Sequence, residues 1–169
     1  MENLSDTKSH ELENKWCLWS HCPHDPDWSV TSYTKICDFV DVESTISITS
    51  ILPENMIKSC MLFLMKDGIL PIWEDAKNRA GGCFSYKVSN HHIIEVWKDL
   101  TYALVGRSIS NDVSFINAIS GLTISPKKNF CIIKIWMENC ANQNPMAVTN
   151  EIKNLNPNGC LFKKHAPTY

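Results

Sequence analysis

Residues 66–84 read Lys66-Asp67-Gly68-Ile69-Leu70-Pro71-Ile72-Trp73-Glu74-Asp75-Ala76-Lys77-Asn78-Arg79-Ala80-Gly81-Gly82-Cys83-Phe84, and they separate two apolar runs of strand length. The stretch itself cannot be a regular element. Asp67-Gly68 is a turn signal, Pro71 interrupts any helix, and Gly81-Gly82 frees the backbone before the next strand. Ile72, Trp73, Glu74 and Asp75 are therefore expected on an irregular connection carried by a sheet, a common setting for binding residues. The run before it, residues 59–66, is short enough for a central strand. The run after it, residues 82–89, alternates Phe84, Tyr86 and Val88 against Cys83, Ser85 and Lys87, the period of a half-buried strand.

A Trp beside a Glu can stack on a flat, electron-poor ring while the carboxylate accepts two N–H donors from that ring's edge. Guanine presents such a pair, and methylation at N7 adds a positive charge that strengthens both contacts. The plainer reading of Trp73 is a lid on the core. The neighbouring residues favour the first. Lys66-Asp67-Gly68, Pro71-x-Trp73-Glu74-Asp75, Asn78 and Gly81-Gly82 resemble the cap-binding loop of the translation initiation factor four-E family, whose members grip the 7-methylguanosine cap of messenger RNA. The opening pattern His10-x-Leu12-x-x-x-Trp16-x-Leu18-Trp19 resembles that family too, and the likeness covers about residues 10–165.

The 169 residues, 44% of them hydrophobic, suffice for one domain, residues 10–169, behind a polar mobile tail at 1–9. A formal charge of −2 argues against coating nucleic acid through phosphate contacts, so recognition of RNA must be local. No apolar run approaches a membrane span and no signal-peptide core is present, which suggests a cytoplasmic protein, expected to be a monomer. The eight cysteines sit mostly in apolar runs and read as buried thiols. Cys17, His21, Cys22 and His24 lie close together, but no second ligand pair follows, so the expectation is surface histidines and no metal or cofactor. No clustered catalytic motif suggests an enzyme.

In chain order, strands are expected at residues 10–19 and 30–39, a helix at 41–52 capped by Asp41, strands at 59–66 and 82–89, and a helix at 90–106 with Asn90 as N-cap and Gly106 as C′. A hairpin is expected from 113–125 and 130–137, an amphipathic helix at 143–155, and a last strand at 160–165. Residues 20–29, with Pro23 and Pro26, read as a loop that ends near an isolated Trp28. Hairpin-like links between strands imply an α+β domain. The resemblance refines this to a curved, mostly antiparallel sheet with three helices on the convex face and the cap slot on the concave face.

What the resemblance implies for individual residues is specific. Trp28 and Trp73 would sandwich the methylated guanine, Glu74 would read its edge, and Trp136 would touch the N7-methyl group. The plainer alternatives are a core anchor for Trp28 and a core position for Trp136. Cys83-Phe84, Ile124-Ser125 and Ile132 stand where the family carries basic residues or a Trp, which leaves Lys127 and Lys128, in the hairpin turn, as candidate phosphate contacts or as a solvated basic turn. Scaffold and repressor proteins of the family dock a Tyr-x-x-x-x-Leu helix on the convex face. Here Val42 and Asp99 remain compatible with docking, while Ile46, Lys98 and Tyr102 replace its Trp and Leu anchors, so weak engagement is expected. Two readings of function follow: a non-catalytic cap reader, promoting or sequestering messages, or an interaction module of the same fold that has lost cap binding.

Overall fold

The computed structural model describes residues 9–167. The expected tail lies outside these residues except for Ser9, whose Oγ donates to Asp41 Oδ2 at 2.6 Å. Seven strands follow: β1 (Glu11–His21), β2 (Thr34–Asp41), β3 (Met61–Lys66), β4 (Gly82–Ser89), β5 (Ile119–Pro126), β6 (Phe130–Met137) and β7 (Leu161–Lys164). They form one curved antiparallel sheet in the order β2-β1-β3-β5-β6-β4-β7, the α+β architecture expected. Among the described residues four helices accompany it: α1 (Val42–Ile51), α2 (Glu54–Ser59), α3 (Ile93–Val105) and α4 (Val113–Asn117).

Strand alternation divides the side chains between two faces. Leu62, Leu64, Phe84, Tyr86, Ile133 and Ile135 meet the α3 stripe of Ile93, Val96, Trp97, Leu100 and Leu104 in the main core. The opposite parity, Phe63, Met65, Cys83 and Trp136, joins Ile69 in a smaller cluster on the open face, with Trp19, Tyr33 and Trp73 packed against it. β3 and β4 run in opposite directions with β5 and β6 between them. Their connection therefore starts and ends at the same end of the sheet, and it lies against the open-face cluster.

Several local expectations are corrected. The helix expected at 143–155 is a 3-10 turn, Pro145–Ala147, followed by irregular backbone, although Val148, Ile152 and Leu155 are buried as an amphipathic helix would bury them. Asn144 accepts from Met146 N–H, Thr149 Oγ1 accepts from Glu151 N–H, Thr149 N–H donates to the Ile109 carbonyl, and Asn154 has φ of 63°. Short polar side chains there offer the backbone partners that a helix would need. The start of the expected strand 113–125 is α4, because Asp112 caps Ser114 and Phe115 N–H. The expected strand 30–39 begins with a 3-10 turn, Val30–Ser32.

α3 is capped at His92, not Asn90, with no side-chain cap bond. Its left-handed residue is Arg107, φ 58°, while Gly106 stays at −82°. Ser108 N–H donates to Ala103 O at 2.8 Å and Arg107 N–H to Leu104 O at 3.2 Å, the paired bonds of a Schellman close. Arg107 is held by Glu13 at 3.0 Å and Asn117 Oδ1 at 2.9 Å. Of the eight cysteines, Cys17, Cys83 and Cys131 are buried, fewer than expected, and Cys22 is exposed.

Candidate functional site

The 67–81 connection is shaped by its own side chains. Asp75 accepts from Leu70 N–H at 2.9 Å and from Lys77 N–H at 2.8 Å. The amide of Asn78, fully buried, donates to the carbonyls of Leu70 and Ile72 at 2.9 and 2.8 Å. Trp73 and Glu74 are thus clamped on both sides, on a loop with little freedom left to lose on binding. Gly68, φ 82°, makes the entering turn. Gly81 and Gly82 serve close approach: a Cβ on Gly81 would lie 1.7 Å from the Met137 carbonyl oxygen, and one on Gly82 would lie 2.6 Å from that of Lys163.

Trp73 stacks on His165, ring centroids 5.5 Å apart at 14°, and His165 meets Trp136 at 4.8 Å. His165 is 8% exposed, with Nδ1 2.8 Å from the Asn78 carbonyl oxygen. A carbonyl only accepts, so Nδ1 carries the proton and Nε2 has no partner among the described residues. Burial pushes the imidazole pKa down, the Asn78 bond opposes that, and Lys134 adds to the lowering.

Trp28 is supported in the same way. Trp28 is 50% exposed and stacks on His21 at 4.2 Å and 6°. His21 is buried at 2% exposure, with Nε2 2.7 Å from the Asp27 carbonyl oxygen, so the surface histidine expected here is a structural one. Asp25 and Asp27 accept from Asp27 N–H and Ser29 N–H at 2.9 and 2.8 Å, turns that present Trp28. Tyr33 joins the halves: it contacts His21 at 4.8 Å, Trp28 at 6.5 Å and Phe63 at 5.2 Å. Burial, with the nearby Glu74 charge, pushes its phenol up to about 12. Glu74 and the Trp28 loop thus share one region of the open face.

Trp136 lies beneath, 5% exposed, its indole N–H donating to Thr123 Oγ1 at 3.2 Å. Lys127 and Lys128 are exposed in the β5–β6 turn, closed by Lys127 N–H to Phe130 O at 2.8 Å. Trp136 is six residues from Phe130 along β6, roughly 20 Å at strand rise, so that turn is not brought beside Trp136. Cys17 donates its thiol to Asp67 Oδ1 at 3.3 Å. On the helix-covered side Leu12, Val42, Thr45, Ile46, Tyr102, Val105 and Gly106 line a groove of about 210 Å³. Lys98 Nζ lies 5.9 Å from the Tyr102 ring centroid at its margin.

Three contributors escaped the sequence reading. His21 continues the Cys17, Trp19 parity of β1 onto the open face, a signal that was available. Tyr33 stands beyond a turn and His165 follows the last strand, so only tertiary contact reveals them.

A family model described as eukaryotic initiation factor 4E matches residues 11–167. The chain is similar to eukaryotic translation initiation factor 4E of Eremothecium gossypii, 34% identical over 147 residues, covering 79% of this chain and 66% of that protein. It is also similar to eukaryotic translation initiation factor NCBP of Oryza sativa subsp. japonica, 30% identical over 151 residues, covering 85% and 64%. Among solved structures, a complex of C. elegans eIF4E-3 with the 4E-binding protein Mextli and cap analog aligns with a TM-score of 0.70 at 22% identity, covering 79% of this chain and 76% of that one. Ascaris suum eIF4E-3 with m7G cap aligns at 0.69 and 21% identity, covering 80% and 77%. The chain spans slightly under two-thirds of the length of the curated relatives, 66% and 64% for the two named.

Proposed function

The chain belongs to the eukaryotic initiation factor 4E family, and from that premise we propose that it is a non-catalytic reader of the 7-methylguanosine cap of messenger RNA, acting in translation initiation or its control in the cytoplasm. One observation carries the reading: two partly exposed indoles, Trp28 and Trp73, are each backed by an imidazole, and Glu74 lies within electrostatic reach of Tyr33, which contacts Trp28. A cationic methylated guanine stacks between the indoles while Glu74 accepts its N1–H and 2-amino protons and neutralises its charge. Trp136 forms the floor beneath the methyl group. Lys127 and Lys128, at the hairpin tip roughly 20 Å along β6 from Trp136, lie too far out to hold the first phosphates and contact the RNA further from the cap.

The test is retention on immobilised 7-methylguanosine diphosphate. Elution by free methylated nucleotide, but not by GTP, is expected. No retention, or equal elution by GTP, overturns the reading in favour of an interaction module without cap binding.

The apolar groove on the other side supports a second role beside this one. Its floor suits the hydrophobic anchors of a helical peptide. Ile46, 50% exposed, presents less surface than an indole, and Lys98 brings a charge to a margin that a docked helix would dehydrate. Scaffold or repressor helices of the Tyr-x-x-x-x-Leu type therefore bind weakly, and the protein works through another partner or sequesters capped RNA.

A further inference from the structure

The register of the open face places two lysines beside the slot floor. Residues directly opposite one another in antiparallel strands share a face. One cross-strand row runs Trp19, Phe63, Thr123, Lys134, Ser85; the next runs Cys17, Met65, Gly121, Trp136, Cys83, Lys163. Phe162 packs edge-on against Phe84 at 4.9 Å in the main core, which turns its neighbour Lys163 to the open side. Lys134 therefore shares a row with Phe63 and lies two strands from it, roughly 10 Å. Lys163 ends the row of Trp136, with Cys83 between them. Among the described residues neither lysine forms an ion pair, whereas Lys35, Lys58 and Lys77 each face a carboxylate.

Resting on the reading of the slot as a methylguanine site, we propose that Lys134 and Lys163 form the seat for the phosphate chain, which runs from the base over β6 and β4 with Cys83 and Ser85 beneath it. The ligand class is a nucleoside di- or triphosphate whose base occupies the slot. Ammonium groups on four-carbon stems need only approximate placement to meet such a chain. Burial raises the Cys83 thiol and lowers His165; within those shifts both lysines pull toward the thiolate and Lys134 disfavours the charged imidazole, so they make the local potential more positive. The sheet thereby offers an anion seat nearer the Trp136 floor than the hairpin tip does.

The experiment titrates tryptophan fluorescence with 7-methylguanosine and with its mono-, di- and triphosphate, on the unmodified chain, the Lys134→Gln, Lys163→Gln double variant, the Lys127→Ala, Lys128→Ala double variant, and Lys164→Gln, which removes a charge one residue along β7 on the other parity. Urea midpoints check that each variant folds. The unmodified chain should bind tighter with each phosphate. The strand pair should lose about tenfold or more on the triphosphate, leave the nucleoside unchanged, and lower the slope of log affinity against log salt by about 0.7 per lysine. Equal loss on nucleoside and triphosphate, loss confined to the hairpin-tip pair, or as large a loss in Lys164→Gln overturns the seat. Nucleoside binding with no gain from phosphates overturns the seat alone; no binding of any methylated ligand overturns the base reading and the seat together.

Discussion

At the residue scale, each indole of the proposed slot stacks on an imidazole whose ring nitrogen meets a backbone carbonyl. The carbonyl bonds fix the rings, and the rings in turn fix the indoles. Trp28→Ala and Trp73→Ala should each weaken methylated-nucleotide binding by about 1–3 kcal/mol, the usual worth of a base stacked on an aromatic ring. Glu74→Ala should cost about 1.5–3 kcal/mol for each charge-assisted bond lost, while the variant still unfolds cooperatively in urea. Near-normal affinity in the Glu74 variant would remove it from the site, and an unaffected Trp28 variant would return that indole to a loop anchor. His165 supplies a pH signature. Its folded pKa lies below the ordinary 6.5, so the unfolded chain takes up the proton first on acidification. The contribution to stability is complete above about 6.5 and is lost as pH falls from there through the folded value. Urea midpoints at several pH values should show that slope, and His165→Phe should flatten it.

At the element scale, α1 depends on its cap. The sequence Val42-Glu43-Ser44-Thr45-Ile46-Ser47-Ile48-Thr49 is rich in β-branched residues that favour strands, yet the segment is helical. Asp41 accepts from Ser44 N–H at 2.7 Å while Ser44 Oγ accepts from Asp41 N–H at 3.2 Å, a reciprocal capping box. Bonds from Ser44 and Ser9 hold the Asp41 carboxyl at about 2. Its stabilisation is present above the unfolded value near 3.9 and fades as pH falls toward about 2. Asp41→Ala should lower the thermal midpoint and reduce that acid-dependent loss, whereas Asp41→Asn should retain much of the cap and lose the pH dependence. Gly81 sets the exit of the 67–81 loop. Gly81→Ala forces Cβ against the Met137 carbonyl and should cost stability at the upper end of the about 1–3 kcal/mol typical of overpacking, with weaker nucleotide binding as the loop shifts.

At the scale of the whole molecule, the two surfaces lie on opposite faces of one sheet, so base recognition and peptide docking can be altered separately. An Ile46→Trp, Lys98→Leu double variant should gain affinity for a Tyr-x-x-x-x-Leu peptide in calorimetric titration while its cap affinity stays fixed. Sub-micromolar binding by the unmodified chain, with no gain in the variant, would show a groove rebuilt around different anchors. The alternation of β4, the α3 stripe and the Pro and Gly signals of the 67–81 loop were legible in sequence, because they depend on strand period, helix period and backbone freedom within one segment. The third long helix was misread because burial of Val148, Ile152 and Leu155 obeys helical spacing while Asn and Thr side chains satisfy the backbone otherwise. Tertiary structure alone decided that β4 lies between β6 and β7. That placement sets Lys134 and Lys163 on either side of β4 and puts His165 behind Trp73, because neighbours across a sheet are chosen by strand order and register, which no local pattern encodes.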